Sequence, residues 1–182
     1  WGLRLWGAAW MLPLLLWQAQ RVPQGQFELL APDIGQGNAV LVRTAGHALL
    51  YDAGPRYSLE SDAGHRVIVP LLQALQVRLD TLVLSHRDTD HVGGAAAVLA
   101  QQPQANWIGS LANDSNAILP RPGVRCEAGM HWQWDGVRFE VLHPLAVDYQ
   151  QARKPNALSC VLRITAGSQV ALLVGDIEEP QE

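Results

Sequence analysis

Four side chains able to bind a metal fall within six consecutive positions: His86, Asp88, Asp90 and His91, in the segment LVLSHRDTDHVGG at 82–94. Imidazole and carboxylate are good ligands for zinc, manganese or iron. An apolar strand is expected to run out at Ser85, and Gly93-Gly94 to open a helix. On a loop at a strand's end, several side chains can converge on one point. Asp90 and His91 are adjacent, so each can face one of two neighbouring ions. The helix N-terminus that follows adds a positive dipole, which favours anionic ligands or an anionic substrate. A solvated polar turn could hold the same residue types, but it does not explain why strand, ligand run and Gly-Gly helix start occur together. The chemistry open to such a set is that of bound divalent ions, which can lower the pKa of water to about 7 and offset charge building on a bound group.

Several elements must position these residues. Short runs rich in Leu and Val at 27–31, 39–44 and 47–51 read as strands, punctuated by Gly35-Gln36-Gly37-Asn38 and Ala45-Gly46. Residues 67–77 read as a helix, with Val67, Leu71, Leu72 and Leu75 on one face and Pro70 in its first turn. A buried strand is expected over 79–84, an Ala-rich helix over 93–101 and a strand over 105–109. Residues 111–129 read as irregular. A hairpin over 132–142 turns at Asp135-Gly136, a long loop covers 145–158, and a second hairpin pairs 159–165 with 169–174. Strands in hairpins with inserted helices predict an α/β (α+β) fold: a mixed sheet with helices packed outside it.

The 182 residues suffice for one domain, at 27–182, behind a Pro/Gly/Gln linker at 21–26. From Leu5 to Trp17 every residue is apolar, Gly or Pro, with Trp at both ends. This run is read as the end of a transmembrane helix over 1–20; a signal-peptide core or a buried helix are the alternatives. The net charge of −4 does not call for a polyanionic partner. Arg56, Arg66, Arg87, Arg121, Arg125, Arg153 and Lys154 are scattered cations, and Arg87, inside the ligand run, is the candidate phosphate contact. Cys126 and Cys160 are either two buried thiols or, outside the cytoplasm, one disulfide. His47, His65 and His131 read as surface or loop residues; His143 is structural or approaches the site. Trp107, Trp132 and Trp134 read as core or hairpin residues rather than base-stacking platforms.

The run HRDTDHVGG resembles the H-x-H-x-D-H signature of the metallo-β-lactamase superfamily, in the H-x-D-x-D-H form of the ComEC family of competence proteins, the DNA-uptake channels of naturally transformable bacteria. Asp33-Ile34-Gly35-Gln36-Gly37-Asn38-Ala39, Leu50-Tyr51-Asp52-Ala53-Gly54, Trp132-Gln133-Trp134-Asp135-Gly136, Leu142-His143-Pro144, Asn156 to Leu162 and Val174-Gly175-Asp176-Ile177-Glu178 are similar to further stretches of that family. The resemblance implies an αββα sandwich. It places His86 and Asp88 on a first metal, Asp90 and His91 on a second, and Asp176 bridging both. Asp90 or Asp176 would hydrogen-bond the attacking water, and Asp33, Asn38, Asp52 and Asn156 would lie behind the ligands. The two ions would be manganese or zinc. Asn38 stands where the family has Asp, and Asn156 where the superfamily often has a third His, a substitution that predicts a weaker or manganese-like first position. The superfamily's last His ligand and final strands are expected beyond Glu182. The resemblance further implies a metal-dependent nuclease acting on the DNA strand that is not imported, joined to the channel portion of the same parent, on the extracytoplasmic side of a bacterial membrane, with other competence proteins as further partners. A non-catalytic DNA-guiding scaffold, or another hydrolase of the superfamily, are the competing functions.

Overall fold

The computed structural model describes residue 10 and residues 21–112, 119–151 and 154–178. The expected transmembrane segment lies outside the described residues apart from Trp10. Among the described residues no helix is long and apolar enough to cross a membrane.

The chain opens with three antiparallel strands, β1 (Glu28–Leu30), β2 (Val40–Arg43) and β3 (Ala48–Tyr51). A short hairpin follows, β4 (Arg56–Ser58) and β5 (Ser61–Asp62). A wide helical turn, Gly64–Ile68, then leads into α1 (Val69–Ala74). The helix expected over 67–77 thus starts earlier and stops earlier. Gly64 brings the backbone against Gly94 with no room for a Cβ, and Gln76, at φ 53°, turns the chain out of the helix. β6 (Thr81–Leu84), β7 (Asn106–Gly109) and β8 (Val124–Arg125) add in parallel beyond β3, giving a six-stranded mixed sheet in the order β1-β2-β3-β6-β7-β8. β6 is buried throughout, as a strand covered on both faces must be. α2 (Thr89–Val92) and α3 (Ala95–Gln101) lie between β6 and β7.

The second sheet holds β9 (His131–Trp134), β10 (Val137–His143), β11 (Val161–Ala166) and β12 (Gln169–Leu173), in the order β12-β11-β10-β9 and antiparallel throughout. Asp135 and Gly136, both at positive φ, make the two-residue turn between β9 and β10. One apolar cluster, including Leu50, Leu72, Leu82 and Leu99, packs the helices onto the first sheet. A second, including Val42, Tyr51, Val83, Phe139, Val141 and Ile164, fills the space between the sheets. The layers are therefore helices, mixed sheet, antiparallel sheet. Trp132 and Trp134 pack on Phe139, and Trp107 is buried with its indole N–H donated to Arg121 O, so all three are core or hairpin residues.

Two expectations need correction, and one hairpin was not expected. The stretch 111–129 is not wholly irregular, because β8 forms within it. The β4–β5 hairpin has no apolar alternation and left no mark in the sequence pattern. The helix after the ligand run does not wait for Gly93. It begins as α2 at Thr89, where Asp88 in extended conformation starts the turn and its carbonyl accepts the N–H of His91 at 3.0 Å and of Val92 at 3.1 Å. Cys126 and Cys160, for which two states stood open, are joined in a disulfide between the sheets.

Candidate metal centre

β3 and β6 end side by side, and the site is built where they stop. β3 runs into Asp52, which takes φ 59° and is fully buried. Its carboxylate accepts four hydrogen bonds: from Ser85 N–H at 2.7 Å, Ser85 Oγ at 2.8 Å, Asn38 Nδ2 at 3.0 Å and His91 Nδ1 at 2.7 Å. β6 ends at Leu84, and Ser85 and His86 follow, both fully buried.

These bonds fix the protons on both imidazoles. A carboxylate only accepts, so His91 Nδ1 carries a hydrogen, and in the neutral ring Nε2 keeps its lone pair. Ser85 has one hydroxyl hydrogen, already donated to Asp52. At 2.9 Å from His86 Nδ1 it can therefore only accept, which protonates His86 at Nδ1 and frees its Nε2 as well. One carboxylate thus sets two rings, the first directly and the second through a serine. The rings lie 4.2 Å apart between centroids. His86 Nε2 is buried and makes no hydrogen bond.

Carboxylates surround the two free nitrogens. Asp88 Oδ2 lies 3.5 Å from His86 Nε2. Asp90 Oδ2 lies 4.0 Å, and Asp176 Oδ1 3.3 Å, from His91 Nε2. His86, His91 and Asp176 each offer a ligand atom within 4.8 Å of the others. Asp88 stands against one ring of that cluster and Asp90 against the other. Asp90 and His91 are consecutive on α2, with His91 buried and Asp90 half-buried. Burial, then the neighbouring His91, lowers the pKa of His86 and keeps it a neutral ligand. Burial works the same way on His91, but the Asp52 bond and the charges of Asp52, Asp176 and Asp90 outweigh it and raise its pKa. An orphaned buried imidazole nitrogen beside three carboxylates is the donor set a divalent cation requires, so the residues fit a metal.

The surrounding loops are shaped to admit this geometry. Gly37 lies so close to Asp90 O that an added Cβ would sit 2.3 Å from it, and Asn38 N–H donates to that same carbonyl at 3.1 Å. Gly175, at φ 60°, turns the chain after β12 so that Asp176 comes over His91; its Cβ would meet Ser85 Cβ at 2.8 Å. A cavity of about 460 Å³ opens alongside, lined by Asn38, Asp90, His91, Leu173 and Asp176 among others.

The expected ligands and their supports are not all brought together. Asp33 is exposed and accepts Gly35 N–H at 3.2 Å, which shapes its own loop; it makes no contact with the imidazoles among the described residues. Asn156 sits in a short turn, Asn156–Leu158, where its carbonyl accepts Ser159 N–H. Its amide makes no hydrogen bond to His86, His91 or Asp176 among the described residues. Arg87 is exposed between His86 and Asp88. His143 is structural, its Nε2 against Ala157 O at 3.0 Å. Sequence reasoning gave no role to Ser85 and Ser159. Ser159 Oγ lies 3.4 Å from His86 Nδ1 and accepts Asp176 N–H at 3.2 Å. Ser85 directly precedes the ligand run, but nothing in a lone serine's type marks it as the link between carboxylate and imidazole.

The model of the metallo-beta-lactamase superfamily matches residues 32–182. The chain is 37% identical over its whole length to "Competence protein ComA" of Neisseria gonorrhoeae and 34% identical over 93% of its length to "Recombination protein 2" of Haemophilus influenzae. It spans only 24% and 20% of those relatives' lengths. Among solved structures it is similar to a metallo-beta-lactamase of Cronobacter sakazakii with a HARLDQ motif, at TM-score 0.57 and 20% identity, over 85% of this chain and 61% of that one.

Proposed function

The chain belongs to the metallo-β-lactamase superfamily, and from that premise we propose that it is the metal-dependent phosphodiesterase domain of a DNA-uptake protein, cutting the strand that is not imported. Superfamily members are in general metal-dependent hydrolases, and the relatives named for competence and recombination support DNA as the substrate. The observation that carries the reading is the free, buried Nε2 of His86, held within ligand distance of His91 and Asp176.

Each residue has a task in this reading. His86 and Asp88 would hold one cation, Asp90 and His91 a second, and Asp176 would reach both; manganese or zinc suits such a set. When bound, a divalent cation supplies the Lewis acidity that activates water and offsets charge on phosphate. Asp52 and Ser85 keep both imidazoles in the ligand tautomer and at fixed angles. Asp90 and Asp176, the half-exposed carboxylates on the cavity, are placed to accept a proton from the attacking water. Asn38 donates its side-chain N–H to Asp52, a bond a carboxylate in its place would not donate, and so helps hold Asp52 against His91 and Ser85. Arg87 is the candidate phosphate contact. The Cys126–Cys160 disulfide supports an extracytoplasmic location, and the apolar run at 5–17 supports attachment to a membrane-embedded portion of the same parent.

The test is hydrolysis of labelled single- and double-stranded DNA with and without manganese, for the wild type and Asp176→Ala. Metal-dependent cleavage that disappears in the variant is expected. A folded, metal-loaded protein that leaves both substrates intact would instead make the domain a DNA-guiding scaffold.

A further inference from the structure

One buried hydroxyl touches both halves of the metal centre. Ser159 Oγ accepts the N–H of Asp176 at 3.2 Å and lies 3.4 Å from His86 Nδ1. Gly175 presses on it from above: a Cβ there would come within 3.0 Å of the same oxygen. Asp176 arrives on the second sheet, after β12, whereas His86 and His91 belong to the first, after β6. Their relative position therefore depends on what joins the two sheets at this end.

That joint is the disulfide, one residue away. Cys160 and Cys126 are fully buried. Cys160 donates its N–H to Ser85 O at 2.8 Å and accepts the Tyr51 hydroxyl at 2.6 Å. Burial, then the charge of Asp52, raises the Tyr51 pKa well above its ordinary value and keeps that hydroxyl a donor. Cys126 follows β8 and donates its N–H to Gly109 O at 3.1 Å. The covalent bridge thus runs from the far edge of the first sheet to the mouth of β11 and is hydrogen-bonded to the backbone of the residue before His86. Ser159 is the side chain through which that anchorage reaches Asp176.

We propose that Ser159 is a positioning residue for divalent-metal binding, held in register by the Cys126–Cys160 disulfide, so that metal affinity depends on the state of the bridge. This rests on the reading of His86, His91 and Asp176 as metal ligands. Reduction by a dithiol moves two electrons and two protons onto the sulfur pair, leaving two thiols and a cyclic oxidised dithiol. The mouth of β11 is then held only by hydrogen bonds and packing, and the Asp176 turn gains freedom relative to His86.

The experiment is calorimetric titration with Mn²⁺ alone, on the oxidised and the dithiol-reduced chain, for wild type, Ser159→Ala and Ser110→Ala. The Ser110 hydroxyl donates to Ser85 O but touches neither His86 nor Asp176, so it controls for loss of a nearby hydroxyl. Ser159→Ala is expected to weaken Mn²⁺ binding about tenfold or more, the cost usual for a group that orients a ligand, with little change in the metal-free melting temperature. Ser110→Ala should bind as wild type does. Reduction should weaken the wild type and add little in Ser159→Ala, because the coupling passes through the missing hydroxyl. The proposal is overturned by unchanged affinity in Ser159→Ala, by an equal effect of reduction in both backgrounds, or by an oxidised wild type that binds no Mn²⁺. Should circular dichroism show that reduction unfolds the chain, the two oxidised serine variants decide. Cleavage of DNA is not the readout, so a chain that binds Mn²⁺ but leaves DNA intact counts against the phosphodiesterase reading and not against this one.

Discussion

Asp52 and Asp135 sit at opposite ends of the same inter-sheet space, and both take left-handed backbone, at φ 59° and 51°. Both act as latches. Asp135, in the β9–β10 turn, accepts Thr44 Oγ1 at 2.7 Å and Gly46 N–H at 2.6 Å, pinning the β2–β3 turn of the other sheet. Asp52 gathers Ser85, Asn38 and His91 in the same way. What differs is the far side of each network. Beside Asp135, the imidazole of His47 lies flat on Trp134 and has Asp80 at 3.2 Å. Beside Asp52, two imidazoles turn their free nitrogens outward toward Asp88, Asp90 and Asp176. One end uses its polar groups to hold the sheets together. The other gathers the ends of β3 and β6 within one sheet and leaves an excess of electron-pair donors, an arrangement suited to a cation.

The sharpest way to break this contrast is at Asp52. Asp52→Ala strips four donors of their acceptor, three of them in buried bonds, and leaves His91 free to change tautomer. It is expected to cost about 3–5 kcal/mol of stability, as for removal of one partner from a buried charged pair. Metal affinity should fall about 100-fold, the upper end for loss of a group behind a ligand. Denaturant unfolding and Mn²⁺ titration measure the two losses. A variant that loses stability but binds metal as before would make Asp52 a latch like Asp135 and nothing more.

Asp176→Asn should separate the two properties in the opposite sense. The side chain is 45% exposed, and the Ser159 hydroxyl is bonded to its backbone rather than to its carboxylate. Stability should stay within about 0.5 kcal/mol of wild type, as for a surface change, while Mn²⁺ binding drops below detection. An unfolding midpoint that moves as far as in Asp52→Ala would show that Asp176 holds the fold and not only a metal.

The same contrast explains what could be read from the sequence. The ligand run was legible because its chemistry is concentrated: four ligand-type residues between an apolar strand and a Gly-Gly pair have few other uses. Asp52 and Asp176 were reached through resemblance, since a single Asp after a strand is common. The fold class followed from the spacing of the apolar runs and from Asp135-Gly136, whose turn chemistry is local. Ser85 and Ser159 were not legible, because their roles arise from contacts between residues far apart in the chain, 33 positions from Ser85 to Asp52 and 73 from Ser159 to His86. The early start of α2 was hidden by Gly93-Gly94, which reads as the opening of a helix but here continues the helical path in αR conformation. Asp33 misleads for a related reason: in D-I-G-Q-G its carboxylate satisfies a nearby N–H and never leaves its loop.

The smallest expected effect lies at the structural end. The Thr44 hydroxyl, followed by Gly46 N–H, holds the Asp135 carboxyl below its ordinary pKa, against a small opposing cost of burial. A carboxyl whose folded pKa is depressed stabilises the fold above its unfolded value and loses that contribution as pH falls through the folded one. Asn tolerates left-handed backbone, so Asp135→Asn keeps the turn and removes the charge. Its deficit against wild type in denaturant midpoint should therefore be visible at neutral pH and shrink in acid, below the ordinary carboxylate range. Mn²⁺ affinity should stay within about twofold of wild type, because sites at opposite ends of a strand act independently. A pH-independent deficit would mean that packing around Trp134, and not the charge, is what Asp135 contributes. A matching loss of metal affinity would mean that the two ends of β3 are coupled through the sheet.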